Sequence, residues 1–309
     1  MQSLKNKILV AIDFEEQSLN ALNQSYHLAK IFDAEIVLLY CIEPIKGLSK
    51  FIFPDNYINK IVANAREKFD EIESLAKKTE KQSRTPVSSI IVKGKAYEKI
   101  IEIAKDYGVI LIVMGKNSLL ERQNRKFVGS NTFNVIREAP CPVISIKGSN
   151  LSGAFNNLLL PLDFSKDTTC QINTAIDIGT YFGATINIFS VFPKENKVFR
   201  ILRQVNVNQA KKSIQKRGLN CNVDIVNAKN NENIAQTIVD FSKEINADMI
   251  IIMTQQKRVF VDFFVGSTAQ DVINNAGIPV LTLLPIINFK PAVVSSFVDP
   301  LDVMRKKEN

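Results

Sequence analysis

The sequence predicts an α/β fold built from two doubly wound domains, each with a parallel sheet and helices on both faces. The first observation behind this prediction is that short, uninterrupted apolar runs alternate with segments of helical periodicity along the chain. An uninterrupted apolar run is typical of a strand that is buried on both faces, as in a parallel sheet. The second observation is that this pattern occurs twice within the 309 residues, which indicates a tandem pair of βαβ domains.

The internal repeat is clearest at the first strand and at the last helix of each copy. KILVAID at 7–13 corresponds to NLLLPLD at 157–163. GSNTFNVIREAPCPVISI at 129–146 corresponds to GSTAQDVINNAGIPVLTL at 266–283. Because matching segments keep the same order in both copies, we expect both domains to share one topology.

Each copy is expected to contain strands and helices in alternation. In the first copy, the strands fall near 7–12, 35–41, 87–92, 109–114 and 142–147, and the helices near 16–32, 58–82, 96–107 and 130–138. In the second copy, the strands fall near 157–162, 184–191, 221–226, 248–253 and 279–284, and the helices near 167–182, 195–217, 232–245 and 267–275. The segment KGSNLSGAFNN between the copies is rich in Gly, Ser and Asn, as is typical of a linker. We therefore expect a first domain at 1–150, a second domain at 151–287 and an extended C-terminal arm at 288–309.

Composition narrows the class of protein. No apolar run approaches the ~20 residues that span a bilayer, and the apolar segment near the start is too short for a signal peptide, so we expect a cytoplasmic protein. The net charge of +8 favours anionic partners in general, but no nucleic-acid-binding motif accompanies it. The four cysteines lack metal-ligand spacing and are expected to be reduced thiols.

Candidate site residues lie where the first and fourth strands of each copy end. In an open parallel sheet, the ligand crevice lies at the carboxyl ends of the strands, where the strand order reverses. Asp13 and Asp163 follow the first strands, and GSN at 129–131 and GST at 266–268 begin the last helices. Unpaired backbone N–H groups at a helix start suit phosphate oxygens. Two interpretations stay open, since Gly-Ser is also a common N-cap and each aspartate can either contact a nucleotide or cap the next helix.

These motifs together resemble the universal stress protein family in its tandem two-domain form, over nearly the whole chain up to about residue 287. The resemblance rests on VAIDFEEQSLNAL at 10–22, on VMG at 113–115 with the GSNTFNVIREAPCPVISI segment, and on their equivalents in the second copy. It implies a Rossmann-like sheet of strand order 3-2-1-4-5 in each half. It also implies that the two halves pair as a pseudo-dimer through their last strands, at 142–147 and 279–284.

The resemblance further implies where a nucleotide would bind. Family members that bind ATP carry a glycine, two residues, a second glycine, nine residues, and then glycine with Ser or Thr. In the first domain this implies an adenine and ribose site near Ala11, Asp13 and Cys41, and a phosphate site near Gly115, Ser118, Gly129, Ser130 and Asn131. Here Ser118 replaces the second glycine, and ten residues follow it instead of nine.

The second copy departs further from the family motif. Aligning VILIVMG at 109–115 with DMIIIMT at 248–254 puts Thr254 at the first glycine and Lys257 at the second. The residues that remain from the motif are Asp163, Gly266, Ser267 and Thr268. Because a Cβ obstructs the approach of backbone to phosphate, we do not expect standard ATP binding there. ATP, with Mg²⁺, is expected in the first domain if it binds at all.

The leading functional hypothesis is a stress-response protein of regulatory or binding type, with at most one weakened nucleotide site and no enzymatic activity. Two alternatives stay open, namely an interaction scaffold that binds no nucleotide and a protein that hydrolyses ATP slowly. A Ser-His-Asp triad would need His27, the single histidine, which is predicted to lie within a helix. Expected partners are the other half of the same chain, a second chain in a homodimer, and proteins that the sequence does not identify. Neither a membrane nor a nucleic acid is expected as a partner.

Overall fold

The structure is a computed structural model that describes residues 6–43, 55–83, 85–116, 130–147, 155–164, 168–192, 197–227, 233–254 and 266–284. The expected C-terminal arm, together with Ser118 and Gly129, lies outside the described residues. Among the described residues, no helix is both long and apolar enough to cross a bilayer.

Strands and helices alternate through both halves, as the apolar pattern predicts. The first half contains β1 (Asn6–Ala11), α1 (Glu16–Ile31), β2 (Ala34–Ile42), α2 (Asp55–Ser83), β3 (Val87–Lys93), α3 (Ala96–Asp106), β4 (Leu111–Gly115), α4 (Ser130–Glu138) and β5 (Val143–Ile146). The second half contains β6 (Asn157–Pro161), α5 (Thr169–Phe182), β7 (Thr185–Phe192), α6 (Lys197–Lys216), β8 (Cys221–Asn227), α7 (Ile234–Glu244), β9 (Met249–Met253), α8 (Ser267–Asn275) and β10 (Val280–Leu283).

All ten strands form one sheet in the order β3-β2-β1-β4-β5-β10-β9-β6-β7-β8. Each half therefore has the 3-2-1-4-5 order, and the strands within each half are parallel. The strand order reverses between β1 and β4 in the first half and between β6 and β9 in the second. These two switch points are the positions at which such sheets bind ligands.

Helices cover both faces of the sheet, and each face has its own apolar core. One core joins α1, α2, α5 and α6 to the sheet, through side chains such as Ala21, Phe69, Ala175 and Ile214. The other core joins α3, α4, α7 and α8 to the opposite face, through side chains such as Ile100, Val135, Ile238 and Val272. Strands buried on both faces explain why the strand sequences read as uninterrupted apolar runs.

The two halves join edge to edge through their last strands. β5 and β10 pair in antiparallel fashion, with Ile144 opposite Leu281 at the centre. The hydroxyl of Thr282 donates to the carbonyl of Val143 at 2.8 Å, across this junction. The expected pseudo-dimer is therefore confirmed as an intramolecular pairing. Because this pairing is antiparallel, the strands of the two halves run in opposite directions. The two switch points therefore lie at opposite ends of the strands in the joined sheet.

Candidate functional site

The first-domain switch point lies where β1 and β4 end side by side. Ala11, the last residue of β1, is paired with Met114, and Gly115 follows as the last residue of β4. α4 begins at Ser130, followed by Asn131. Because α4 connects two parallel strands, its N-terminus lies at the same edge as the carboxyl end of β4.

Gly115 lies directly beneath the start of α1. A Cβ built on Gly115 would lie less than 3.0 Å from the backbone C and O of Gln17 and the backbone N of Ser18. Any side chain at this position would therefore push the first turn of α1 away from β4. Gly115 is required by the close approach of two backbones, whether or not a phosphate also lies there.

Asp13 is held in a tight turn between β1 and α1. Its Oδ1 accepts the N–H of Glu15 at 2.9 Å, and its own N–H donates to the Ser18 hydroxyl at 3.3 Å. That hydroxyl in turn donates to the carbonyl of Glu15 at 2.9 Å. Phe14, between them, has a φ of 64°, a conformation that bulky residues adopt only when their surroundings hold them. Asp13 therefore stabilises the turn that leads into α1, whose N-cap residue Glu15 makes no side-chain cap hydrogen bond, and the Asp13 carboxylate is exposed.

Cys41 lies near the end of β2, on the other side of β1. Burial raises the pKa of its thiol to about 12, so the side chain is a neutral, apolar group at physiological pH. Close by, the Glu43 carboxylate accepts the N–H of Ala96 at 2.8 Å. That acceptor satisfies a backbone donor at the start of α3, so a negative charge already occupies this helix N-terminus.

The predicted alignment of Thr254 with Gly115 is wrong by one residue. Ile8 of β1 pairs with Leu111, and its counterpart Leu158 of β6 pairs with Met249. Counting four residues along each strand, the position of Gly115 is therefore taken by Met253. The next position confirms this register, since the N–H of Lys116 donates to Ile146 and the N–H of Thr254 donates to Leu283, at the ends of β5 and β10. Sequence similarity alone could not detect the shift, because apolar residues stay opposite apolar residues when one strand is moved by one position along the other.

Met253 changes what the second switch point can accommodate. Where the first domain has no Cβ, the second has a long apolar side chain that is half-buried. In keeping with this, α5 begins at Thr169 and packs less extensively on β9 than α1 packs on β4. The close approach of helix to strand that characterises the first switch point is therefore not repeated in the second.

The gap between β6 and β9 is filled by a side-chain amide. β6 ends in Pro161, at the position of Ala11, and Pro has no N–H for the neighbouring strand. The β6–β9 pairing stops at Leu159 with Ile250. The Nε2 of buried Gln171, on α5, donates to the carbonyls of both Pro161 and Ile251, each at 2.8 Å. Sequence reasoning missed Gln171, and the only signal for it was a proline inside a predicted buried strand.

Asp163 differs from Asp13 in its partner. Nη1 of Arg203, on α6, lies 3.3 Å from its Oδ1, and the Arg203 side chain is only 15% exposed. A cation from the protein itself therefore occupies the rim of the second crevice. Gly266 is the N-cap of α8, with a φ of −58° that any residue adopts, and Ser267 and Thr268 form the first turn.

Lys116, the residue after Gly115, points into the second domain. Its ammonium group is buried and donates to the carbonyls of Ile273 and Asn274, each at 2.5 Å. These carbonyls belong to the last turn of α8, where helix carbonyls lack partners and the dipole favours a cation. Lys116 of the first domain therefore links the two domains through the end of α8.

A surface groove of about 410 Å³ lies elsewhere, along α7, and includes Phe189 and Val226 of β7 and β8. It lies at β7 and β8, on the side of β6 that faces away from β9, so it is not the counterpart of the nucleotide crevice. Among the described residues, no cluster of three or more His, Cys, Asp or Glu side chains could hold a metal ion.

Comparison with known proteins identifies the family. The profile of the universal stress protein family matches residues 5–147 and 154–283. A universal stress protein of Methanocaldococcus jannaschii is 30% identical over 168 residues, which cover 48% of this chain and 99% of that protein. A universal stress protein of Bacillus subtilis is 28% identical over 147 residues, covering 46% of this chain and 99% of that protein.

Solved structures extend the similarity to the tandem arrangement. The crystal structure of a universal stress protein from Archaeoglobus fulgidus covers 92% of this chain and 99% of its own, with a TM-score of 0.70 and 21% identity. At that identity the likeness concerns the fold. With two family matches that together take up most of its length, this chain belongs to the universal stress protein family.

Proposed function

We propose that this stress-response protein binds one nucleotide per chain, at the β1–β4 switch point, and that the second domain has lost this capacity. The difference between the two switch points carries the proposal. The first keeps Gly115 and an exposed Asp13, whereas the second has Met253, with Arg203 paired to Asp163.

The first-domain residues suit the chemistry of a nucleotide. Ala11 and the neutral thiol of Cys41 offer apolar surface for a base. The exposed carboxylate of Asp13 is an acceptor of the kind that binds ribose hydroxyls. Ser130 and Asn131 open α4, where the N-terminal N–H groups attract phosphate oxygens. ATP, with Mg²⁺ on its phosphates, and AMP are the ligands to test.

The second domain is unsuited to the same ligand for a steric and an electrostatic reason. Met253 adds a side chain where the family motif requires close approach of backbone to phosphate. Arg203 already satisfies Asp163, so a ribose would have to compete with an ion pair. The second domain then serves as the structural partner that completes the ten-stranded sheet.

The protein acts by binding and regulation in this proposal, and slow ATP hydrolysis is left open. His27 lies within α1, where burial and the charge of Lys30 lower its pKa, so it is an uncharged imidazole near neutral pH.

A cytoplasmic location and association into a homodimer remain predictions, which cell fractionation and light scattering would test.

The decisive experiment uses matched substitutions at the two helix starts. Ser130→Asp places a carboxylate at the first position of α4, and Ser267→Asp does the same in α8. A negative charge at a helix N-terminus stabilises the helix, so both variants should stay folded, but the carboxylate repels phosphate. Isothermal titration with ATP and AMP, with and without Mg²⁺, should give one site per chain in the wild-type protein. Ser130→Asp should abolish that binding and Ser267→Asp should leave it unchanged.

Two results would contradict the proposal. The absence of binding heat up to millimolar ATP would leave an interaction scaffold as the function. Binding that is lost in Ser267→Asp and kept in Ser130→Asp would assign the site to the second domain instead of the first. A steady-state phosphate-release assay on the same samples separates binding from hydrolysis.

A further inference from the structure

We propose that the outer face of α6 binds the C-terminal segment of the same chain, residues 292–302. This outer face is defined by Ile201, Leu202 and Val205. They are 63%, 54% and 45% exposed, which makes them the most exposed large apolar side chains in the described part of the chain. An exposed apolar patch of this kind marks a surface for association.

The patch is separate from the face that attaches α6 to the sheet. Val207, Ala210 and Ile214 are buried and attach the helix. At 100° per residue, the three exposed residues lie on the opposite side of the helix from these three. α6 therefore has two apolar faces, and among the described residues only one of them is packed against the rest of the protein.

The charge of α6 selects the kind of partner. The helix contains no acidic residue, and its basic residues are Lys197, Arg200, Arg203, Lys211, Lys212 and Lys216. A partner that combines apolar side chains with carboxylates would complement this surface.

The chain contains such a segment after its last strand. AVVSSFVDPLD at 292–302 carries two aspartates and no lysine or arginine. Its large apolar residues are Val293, Val294, Phe297, Val298 and Leu301. The segment is also held at high effective concentration because it belongs to the same chain, which favours it over a free peptide of the same sequence.

The position of β10 puts the segment within reach. β10 is parallel to β9, β6 and β7, so the chain leaves Leu284 at the edge where α6 begins after β7. The contact of Arg203 with Asp163 places the first half of α6 at that edge. From β10 to β7 is three strand spacings, about 15 Å, whereas the stretch from Leu284 to Val293 spans up to about 30 Å.

A tryptophan reporter tests this docking directly, because the chain contains no tryptophan. In Phe297→Trp, the indole should show blue-shifted emission and weak quenching by acrylamide. Adding Leu202→Glu should shift the emission to that of an exposed indole. Two controls in the same reporter chain should leave it unchanged. Leu19→Glu changes an exposed apolar position of α1, and Gln215→Glu adds the same charge to an exposed position of α6 that is about 20 Å along the helix from Leu202. Circular dichroism of each variant verifies that the fold is kept.

Three outcomes would overturn the proposal. The first is an exposed indole in the reporter chain without further changes. The second is a blue shift that depends on protein concentration, which would mean docking between chains. The third is an indole that is equally buried with and without Leu202→Glu, which would place the segment elsewhere. Vesicles of phosphatidylglycerol are added in a separate arm, and Leu202-dependent co-sedimentation with them would assign the outer face to an anionic membrane surface instead.

Discussion

The side-chain amide of Gln171 replaces the backbone N–H that Pro161 lacks. In the first domain, Ala11 at the same position pairs in register with Met114. In the second domain, the Gln171 Nε2 donates to the carbonyls of Pro161 and Ile251. Two neighbouring strands are thus held together at their ends by a side chain from α5, and the gap between them is closed.

Gln171→Leu should destabilise the second domain. The substitution keeps the volume of the side chain but leaves two buried carbonyls without a donor, at a cost of about 1–3 kcal/mol. Urea unfolding followed by circular dichroism measures the change. Gln209→Leu, at an exposed position of α6, is the matched control and should change the free energy of unfolding by less than about 0.5 kcal/mol.

The same substitution in a Pro161→Ala background isolates the proposed cause. Alanine restores the N–H at this position, so Ile251 regains a backbone donor and the cost of Gln171→Leu should fall. An equal cost in both backgrounds would show that Gln171 matters for packing and not for the missing N–H.

The sequence was sufficient for the fold because the apolar runs and the internal repeat can both be read without knowledge of tertiary contacts. Apolar runs mark the strands whatever their neighbours are, and the repeat fixed the order of elements, so β1 to β10 and α1 to α8 lie close to their predicted positions. The pairing of β5 with β10 followed from the family resemblance and is confirmed.

The features of the site that the sequence did not reveal depend on contacts between distant residues. Lys116 lies 157 positions before its acceptor Ile273. Nothing in the neighbouring sequence distinguishes it from the basic residues that follow, Arg122, Arg125 and Lys126. Gly115 could be assigned to phosphate binding from its motif, but its contact with the start of α1 appears only in three dimensions. The register of Met253 depends on strand pairing, which an alignment of two apolar runs does not contain.

Lys116→Met should weaken the attachment of the two domains. Methionine keeps most of the apolar stem but removes the ammonium group from the carbonyls of Ile273 and Asn274. Losing charged hydrogen bonds at a helix C-terminus costs about 1–3 kcal/mol. Hydrogen exchange followed by mass spectrometry should show faster exchange in the last turn of α8, with little change in α4.

The control for this variant is Lys212→Met, an exposed lysine on α6. It removes the same charge and should leave α8 exchange unchanged. If both variants behave alike, the contact of Lys116 with α8 contributes nothing measurable to stability.

Three of the four cysteines should be slow to react in the folded protein. Burial raises the pKa of Cys41 and Cys141 to about 12 and that of Cys221 to about 11. At pH 8 the thiolate fraction of each is then about one in a thousand or less, and the thiolate is the reactive species. Ellman's reagent should modify these three slowly in native protein and rapidly after unfolding in guanidinium.

A Cys170→Ser variant leaves only the three thiols whose pKa is raised by burial. Rapid reaction of that variant at pH 8 would contradict these raised pKa values. The rate should rise with pH, since deprotonation limits it.

Asp177, on α5, should make the protein less stable as the pH rises through the acidic range. Burial raises its pKa from 3.8 to about 6, and the charge of Arg217 offsets part of this effect. Between these two values the folded state binds more protons than the unfolded state, so the free energy of unfolding falls as the pH rises, and the loss is complete above about pH 6. The difference corresponds to at most about 3 kcal/mol, and partial exposure of the side chain reduces it.

Asp177→Asn removes the titrating group and keeps the shape of the side chain. The urea midpoints of the wild-type protein and of this variant, measured from pH 4 to pH 7, should therefore be similar at pH 4 and diverge in favour of the variant at pH 7. The difference between the two curves isolates Asp177, because every other group, including His27, titrates in both proteins. Parallel curves across this range would mean that Asp177 ionises at its ordinary pKa in the folded protein.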